Sequence, residues 1–90
     1  MYDIEMSSRF RRDLKAARKR GYDIDKLDAV VDLLSRGVTL PLKSRDHALS
    51  SNYEGYRECH IAPDWLLIYR IEQGALVLYL LRTGTHSDLF

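Results

Sequence analysis

Three histidines (His47, His60 and His86) and one carboxylate (Asp64) are the side chains of this 90-residue sequence best suited to moving protons. Histidine ordinarily titrates close to neutral pH, so it can act there as base or as acid. His47 falls in an irregular stretch, His60 just before the turn at Pro63, and His86 just after the last extended run. Taken singly, each reads as an exposed or structural residue. Their positions along the chain change that reading. In an antiparallel meander the end of one strand lies beside the start of the next, which puts His60 near Asp64 and Trp65. A third strand ending at Arg82 finishes at the same edge, so His86 can approach His60 and Asp64.

Other chemistries fit less well. Three histidines and Asp64 could ligate zinc, but no His-x-x-x-His pair is present, and the expectation is no metal and no other cofactor. Cys59 alternates to the strand face opposite His60 and reads as a small core residue, not a nucleophile. There is no Gly-x-Ser-x-Gly elbow and no glycine-rich phosphate loop. RNA suits the set better because it carries its own nucleophile, the 2′-hydroxyl. Its cleavage needs a base for that proton, an acid for the departing 5′-oxygen, and cations for the phosphorane. His60, Asp64, His86, Arg57 and Arg82 are residues of those types. Trp65, Tyr56 and Phe90 could stack on a base; Trp65 and Tyr56 read equally well as core aromatics.

The elements that must hold these residues follow from periodicity. Residues 2–6 alternate as a short strand, with Tyr2, Ile4 and Met6 on one face. Ser7 or Ser8 caps a helix running to about Arg20 and stopped by Gly21, with Phe10, Leu14 and Ala17 as its buried stripe. A second helix opens at Asp23 or Asp25, closes at Gly37, and buries Ile24, Leu27, Val30, Val31 and Leu34. Residues 38–53 show no period and predict an ordered loop pinned by Leu40, Leu42 and Leu49. Strands are predicted over 56–61, 65–71 and 75–82, with turns at 62–64 and 72–74. Both faces of the middle strand are apolar: Trp65, Leu67, Tyr69 and Ile71 on one, Leu66 and Ile68 on the other. That marks a central strand covered by the helices and partly buried on its second face. Residues 83–90 leave no room for another full element. The fold class is therefore α+β, a helical hairpin on one face of a small, mainly antiparallel sheet.

Composition bounds the possibilities. At 10.5 kDa, with 46% hydrophobic and 30% charged residues, residues 1–90 predict a single globular domain with one thin core. One cysteine cannot build an internal disulfide, no apolar run is long enough to span a membrane, and the expected location is the cytoplasm. The net charge of +1 hides an asymmetry: residues 9–20 carry +6 and the rest carries −5. Arg11, Lys15 and Arg18 share helical spacing beside the apolar stripe. They form either a solvated helix face or a stripe for phosphates or an acidic partner.

Three blocks, in order, carry a resemblance. They are Asp46-His47-Ala48-Leu49; Gly55-Tyr56-Arg57-Glu58-Cys59-His60-Ile61-Ala62-Pro63-Asp64-Trp65-Leu66-Leu67-Ile68-Tyr69; and Arg82-Thr83-Gly84-Thr85-His86-Ser87-Asp88-Leu89-Phe90. The chain resembles the YafQ branch of the RelE/ParE toxin superfamily. The resemblance implies a RelE-like fold and a bacterial type II toxin that cleaves mRNA in the ribosomal A site. Its implied partners are the ribosome, mRNA and a cognate antitoxin bound in a heterotetramer, with no membrane. By position it makes His86 the proposed general acid, links His60 and Asp64 to the base role, and makes His47 a further active-site histidine. It places Arg82 beside the last strand and makes Trp65 and Phe90 active-site aromatics. Glu58 stands where some relatives carry aspartate. The alternative is a non-catalytic nucleic-acid-binding module or a gyrase-inhibiting toxin of the same fold, although gyrase inhibition needs no proton-transfer residues.

Overall fold

The middle strand organises the molecule, because its alternation sends side chains into two separate apolar layers. In the computed structural model, which describes residues 1–90, this strand is β4 (Trp65–Glu72). It lies between β3 (Arg57–Ala62) and β5 (Val77–Gly84), antiparallel to both. β1 (Asp3–Met6) adds to β5 in parallel, and the two-residue β2 (His47–Ala48) adds antiparallel to β3. The sheet order is β1-β5-β4-β3-β2.

Two helices, α1 (Ser8–Lys19) and α2 (Ile24–Ser35), cover one face. Ser7 caps α1 by accepting from the Phe10 N–H, and its own hydroxyl donates to the Leu81 carbonyl, tying the start of the helix to β5. Asp23 caps α2 through the Asp25 N–H. Phe10, Ala17, Leu27, Val31 and Leu34 meet Cys59, Trp65, Leu67, Tyr69, Leu78 and Leu80 in the main core. The opposite face carries a smaller layer, Leu66, Ile68 and Leu89, flanked by Leu49, Tyr53, Tyr56 and Leu81. The two faces of β4 sort as its alternation predicts.

Several boundaries differ from the sequence reading. The segment read as a loop holds short 3₁₀ turns at Leu42–Ser44 and Ser51–Tyr53 as well as β2. Leu40 is buried and Leu49 packs on the smaller layer, but Leu42 is 97% exposed and pins nothing. β5 starts and ends two residues later than predicted, because the preceding turn extends to Leu76, which takes a left-handed φ of 54°. The last residues do form an element: a one-turn helix, α3 (His86–Leu89), capped by Thr85. Two bulges interrupt the ladders. Ile61 is the extra residue between the His60–Leu66 and Ala62–Trp65 pairs, and Leu81 between the Tyr69–Leu80 and Ile68–Arg82 pairs. The first sits at the end of the sheet where the histidines lie, where bulges re-aim side chains, and the second midway along β4, beside the Ile68–Arg82 pair.

Candidate active site

At that end α3 brings His86 over the turn between β3 and β4. The His86 backbone N–H donates to Asp64 Oδ1 at 3.2 Å, and its ring Nδ1 lies 3.4 Å from the same oxygen. The ring centroid is 6.2 Å from that of His60 and 6.0 Å from that of Phe90. Phe90 in turn meets Tyr53 edge to face at 5.3 Å, and the Tyr53 hydroxyl donates to the Leu89 carbonyl. His60, half-buried, thus forms one cluster with the exposed Asp64, His86 and Phe90, and the edge-adjacency argument from the meander holds.

His47 reaches the same face by another route. β2 pairs His47 with Glu58, and Glu58 shares a face of β3 with His60. His47 Nδ1 lies 2.7 Å from the Arg45 carbonyl oxygen and Nε2 lies 3.6 Å from Glu58 Oε1. Glu58 is 4% exposed, and its other oxygen has no hydrogen-bond partner. The sequence names Glu58 only through the resemblance; a buried acid beside His47, on the same strand face as His60, emerges once β2 is seen to pair there.

Two predicted site residues lie elsewhere. Trp65 faces the helices, 4% exposed, with Tyr22 at 5.0 Å and its indole N–H donating to Thr83 Oγ1 at 2.9 Å. It is a core aromatic in this structure, out of reach of a stacked base. Arg57 aligns with Tyr69 on the helix-covered face, and its guanidinium pairs with Asp46 at 3.2–3.3 Å. The alternation that separates Cys59 from His60 also separates Arg57 from His60. Asp46 further accepts from the Tyr69 hydroxyl. Burial, with Asp46 and Glu58 nearby, pushes the Cys59 thiol up to about 12, consistent with a core role.

Arg82 aligns with Ile68 on the open face. Its Nε and Nη2 donate to Asp13 at 2.8 and 3.1 Å, and the Thr83 N–H donates to the same carboxylate at 3.1 Å. This pairing raises the Arg82 pKa, burial opposing it, and leaves Nη1 as the nitrogen free of Asp13. Arg11, Lys15 and Arg18 are all exposed on α1, clear of its buried Phe10 and Ala17. The side-chain set holds base, acid and cation types within one sheet end. No group of three or more His, Cys, Asp or Glu side chains is placed to hold a metal ion.

Comparison with known proteins agrees over the whole chain. The family described as "Bacterial toxin of type II toxin-antitoxin system, YafQ" matches residues 2–90. The mRNA interferase toxin YafQ of Escherichia coli (strain B / BL21-DE3) is 46% identical over 89 residues, which are 98% of this chain and 95% of that protein. The crystal structure of a metal-bound toxin from Helicobacter pylori superposes with a TM-score of 0.94 at 42% identity, covering all of both chains. The toxin in the crystal structure of the E. coli DinJ-YafQ complex superposes with a TM-score of 0.90 at 43% identity, covering 100% of this chain and 99% of that one.

Proposed function

The chain belongs to the YafQ family of type II toxins, and from that membership we propose how it cuts RNA and what restrains it. It is an mRNA interferase, an endoribonuclease. The substrate is message held in the ribosomal A site, where the ribosome presents the backbone to the open end of the sheet. His60 takes the proton from the 2′-hydroxyl, and the 2′-oxygen attacks the adjacent phosphorus. The bond from phosphorus to the 5′-oxygen breaks, and His86 donates a proton to that oxygen. The products are a 2′,3′-cyclic phosphate and a 5′-hydroxyl end. The cluster of His60, Asp64 and His86 is the observation that carries this reading.

Asp64 contacts the Nδ1 edge of His86, which leaves Nε2 to face the leaving oxygen. Its role is therefore to orient the acid, as the third member of a triad orients its histidine. His47 lines the same face beside Glu58. Arg82 offers Nη1 to a phosphate oxygen while Asp13 holds its other edge, and Phe90 offers its exposed ring to a base. Arg11, Lys15 and Arg18 dock on ribosomal RNA. A cognate antitoxin, as DinJ is for the E. coli relative, binds the toxin in a heterotetramer and silences it. No helix is long and apolar enough to cross a membrane, and a toxin that acts on message held in the ribosome works in the cytoplasm.

The test is cleavage of one message with and without ribosomes, with 5′ ends mapped. Codon-phased cuts that require ribosomes support the reading. Equal cutting of free RNA removes the ribosome from it. Intact message with DNA damage in cells favours the gyrase-inhibiting alternative.

A further inference from the structure

His86 sits on a helix only four residues long, close to the end of the chain, and a helix this short does not hold its own shape. The structure ties it down at several points, none of which involves the His86 ring. Thr85 and Asp88 form a reciprocal capping box: the Thr85 hydroxyl accepts from the Asp88 N–H at 3.2 Å, and Asp88 Oδ2 accepts from the Thr85 N–H at 2.9 Å. Asp88 also receives both guanidinium ends of Arg20, Nη1 at 2.7 Å and Nη2 at 3.2 Å, from 68 residues away. Gly84 makes room for this arrangement, since a Cβ there would stand 2.8 Å from Asp88 Oδ2. At the far end Leu89 is buried and its carbonyl accepts from Tyr53.

Arg20 is the C-terminal cap residue of α1, the helix that carries the exposed basic face. We propose that Arg20 and Asp88 are positioning residues for His86: their two-pronged ion pair fixes α3 against α1 and so sets where the imidazole meets the leaving oxygen. The proposal rests on the reading of His86 as the acid. Neither residue needs to touch RNA. The Asp88 carboxyl lies well below the usual range because Arg20 bonds to it and Thr85 adds a backbone bond, so both partners of the pair are charged near neutral pH. The pair is partly exposed, with side-chain accessibilities of 44% and 30%. It is therefore weak as a stabiliser of the whole fold but well placed to steer one turn of helix.

The experiment is single-turnover cleavage of ribosome-bound message by Arg20→Met, Arg20→Lys and Asp88→Asn, with Arg20→Met also made in a His86→Gln background. A small displacement of a catalytic group costs on the order of 10- to 100-fold in rate. The expected result is a loss of that size for Arg20→Met with ribosome affinity and thermal midpoint unchanged. Asp88→Asn should lose less, since the amide oxygen still caps Thr85, and Arg20→Lys should recover part of the rate. In the His86→Gln background Arg20→Met should change nothing further, because a residue acting through His86 has nothing left to act on. An Arg20→Met variant that cleaves like wild type while His86→Gln is slow overturns the clamp and leaves the acid standing. An equal loss in both backgrounds also overturns it and makes Arg20 a direct RNA contact. If His86→Gln cleaves like wild type, the acid assignment falls first and the clamp falls with it.

Discussion

The two faces of the sheet are built from the same strands and do different work. Toward the helices the strands present Cys59, Leu67, Tyr69, Leu78 and Leu80, each at most 1% exposed. Toward the open side the same strands present Glu58, His60, Leu66, Ile68 and Arg82, and only the two aliphatic residues belong to an apolar layer. Neighbours in sequence fall on opposite sides: Cys59 and His60, Leu66 and Leu67, Arg82 and Thr83. A period of two separates stability from chemistry along a single strand, so substitutions one position apart should fail in different ways.

The sharpest test of that division is His86→Gln. If His86 donates the proton to the 5′-oxygen, cleavage of ribosome-bound message should slow by roughly 100- to 10,000-fold. The exposed ring, 3.4 Å from an equally exposed Asp64, contributes little to folding. Stability should change by about 0.5 kcal/mol or less, the scale of surface substitutions. A fully active variant would eliminate His86 as the acid. A variant inactive only because its thermal midpoint collapses would move His86 to the stabilising side of the comparison.

Leu67→Ala asks the converse on the covered face. Leu67 is wholly buried between β4 and the helices, and truncating such a leucine costs about 2–5 kcal/mol. Urea unfolding should show that loss, while the rate per folded molecule should stay close to wild type. A large drop in rate at temperatures where the variant is fully folded would mean that the two faces are not separable.

Much of this division is legible in the amino-acid sequence. Burial on both sides forces the strand at 65–71 into strict alternation, so its two apolar sets can be read directly. The helices are equally plain, because Ser7 and Asp23 are capping types placed just before apolar stripes. The parity that takes Cys59 off the histidine face also takes Arg57 off it, so Arg57 was readable too. What is not legible breaks the period or spans the chain. The bulges at Ile61 and Leu81 interrupt the alternation, the first where the site begins. β2 has two residues and no period of its own, which hides the pairing of His47 with Glu58. The partners Asp13 for Arg82 and Asp88 for Arg20 lie about 70 residues apart in the chain, where no spacing rule operates.

Thr83→Val probes the polar residue that β5 sends into the covered side. Its hydroxyl accepts from the Trp65 indole and donates to the Leu66 carbonyl at 2.7 Å, all buried. Valine keeps the shape and leaves the indole N–H unpaired, which costs about 1–3 kcal/mol. Tryptophan fluorescence should report the changed surroundings, since Trp65 is the one tryptophan of the chain. Cleavage by the folded fraction should persist, because Trp65 is buried against Tyr22 in the core. Loss of cleavage without loss of stability would restore Trp65 to the site.

The smallest effects belong to the helix surface that faces neither layer. Arg11, Lys15 and Arg18 are exposed and lie off the stripe of Phe10 and Ala17. Lys15→Glu should therefore leave the thermal midpoint within the range of surface changes, about 0.5 kcal/mol. If these cations dock on ribosomal RNA, the same change should weaken ribosome association. Each lost phosphate contact should also flatten the dependence of log affinity on log salt by roughly 0.7–0.9. The measurement is ribosome binding at several salt concentrations, with Lys15→Glu and Arg18→Glu singly and together. A change in slope that adds across the two variants identifies phosphate contacts. An unchanged slope, with antitoxin affinity reduced instead, would assign the basic face to the acidic partner and leave the open end of the sheet as the only surface that meets RNA.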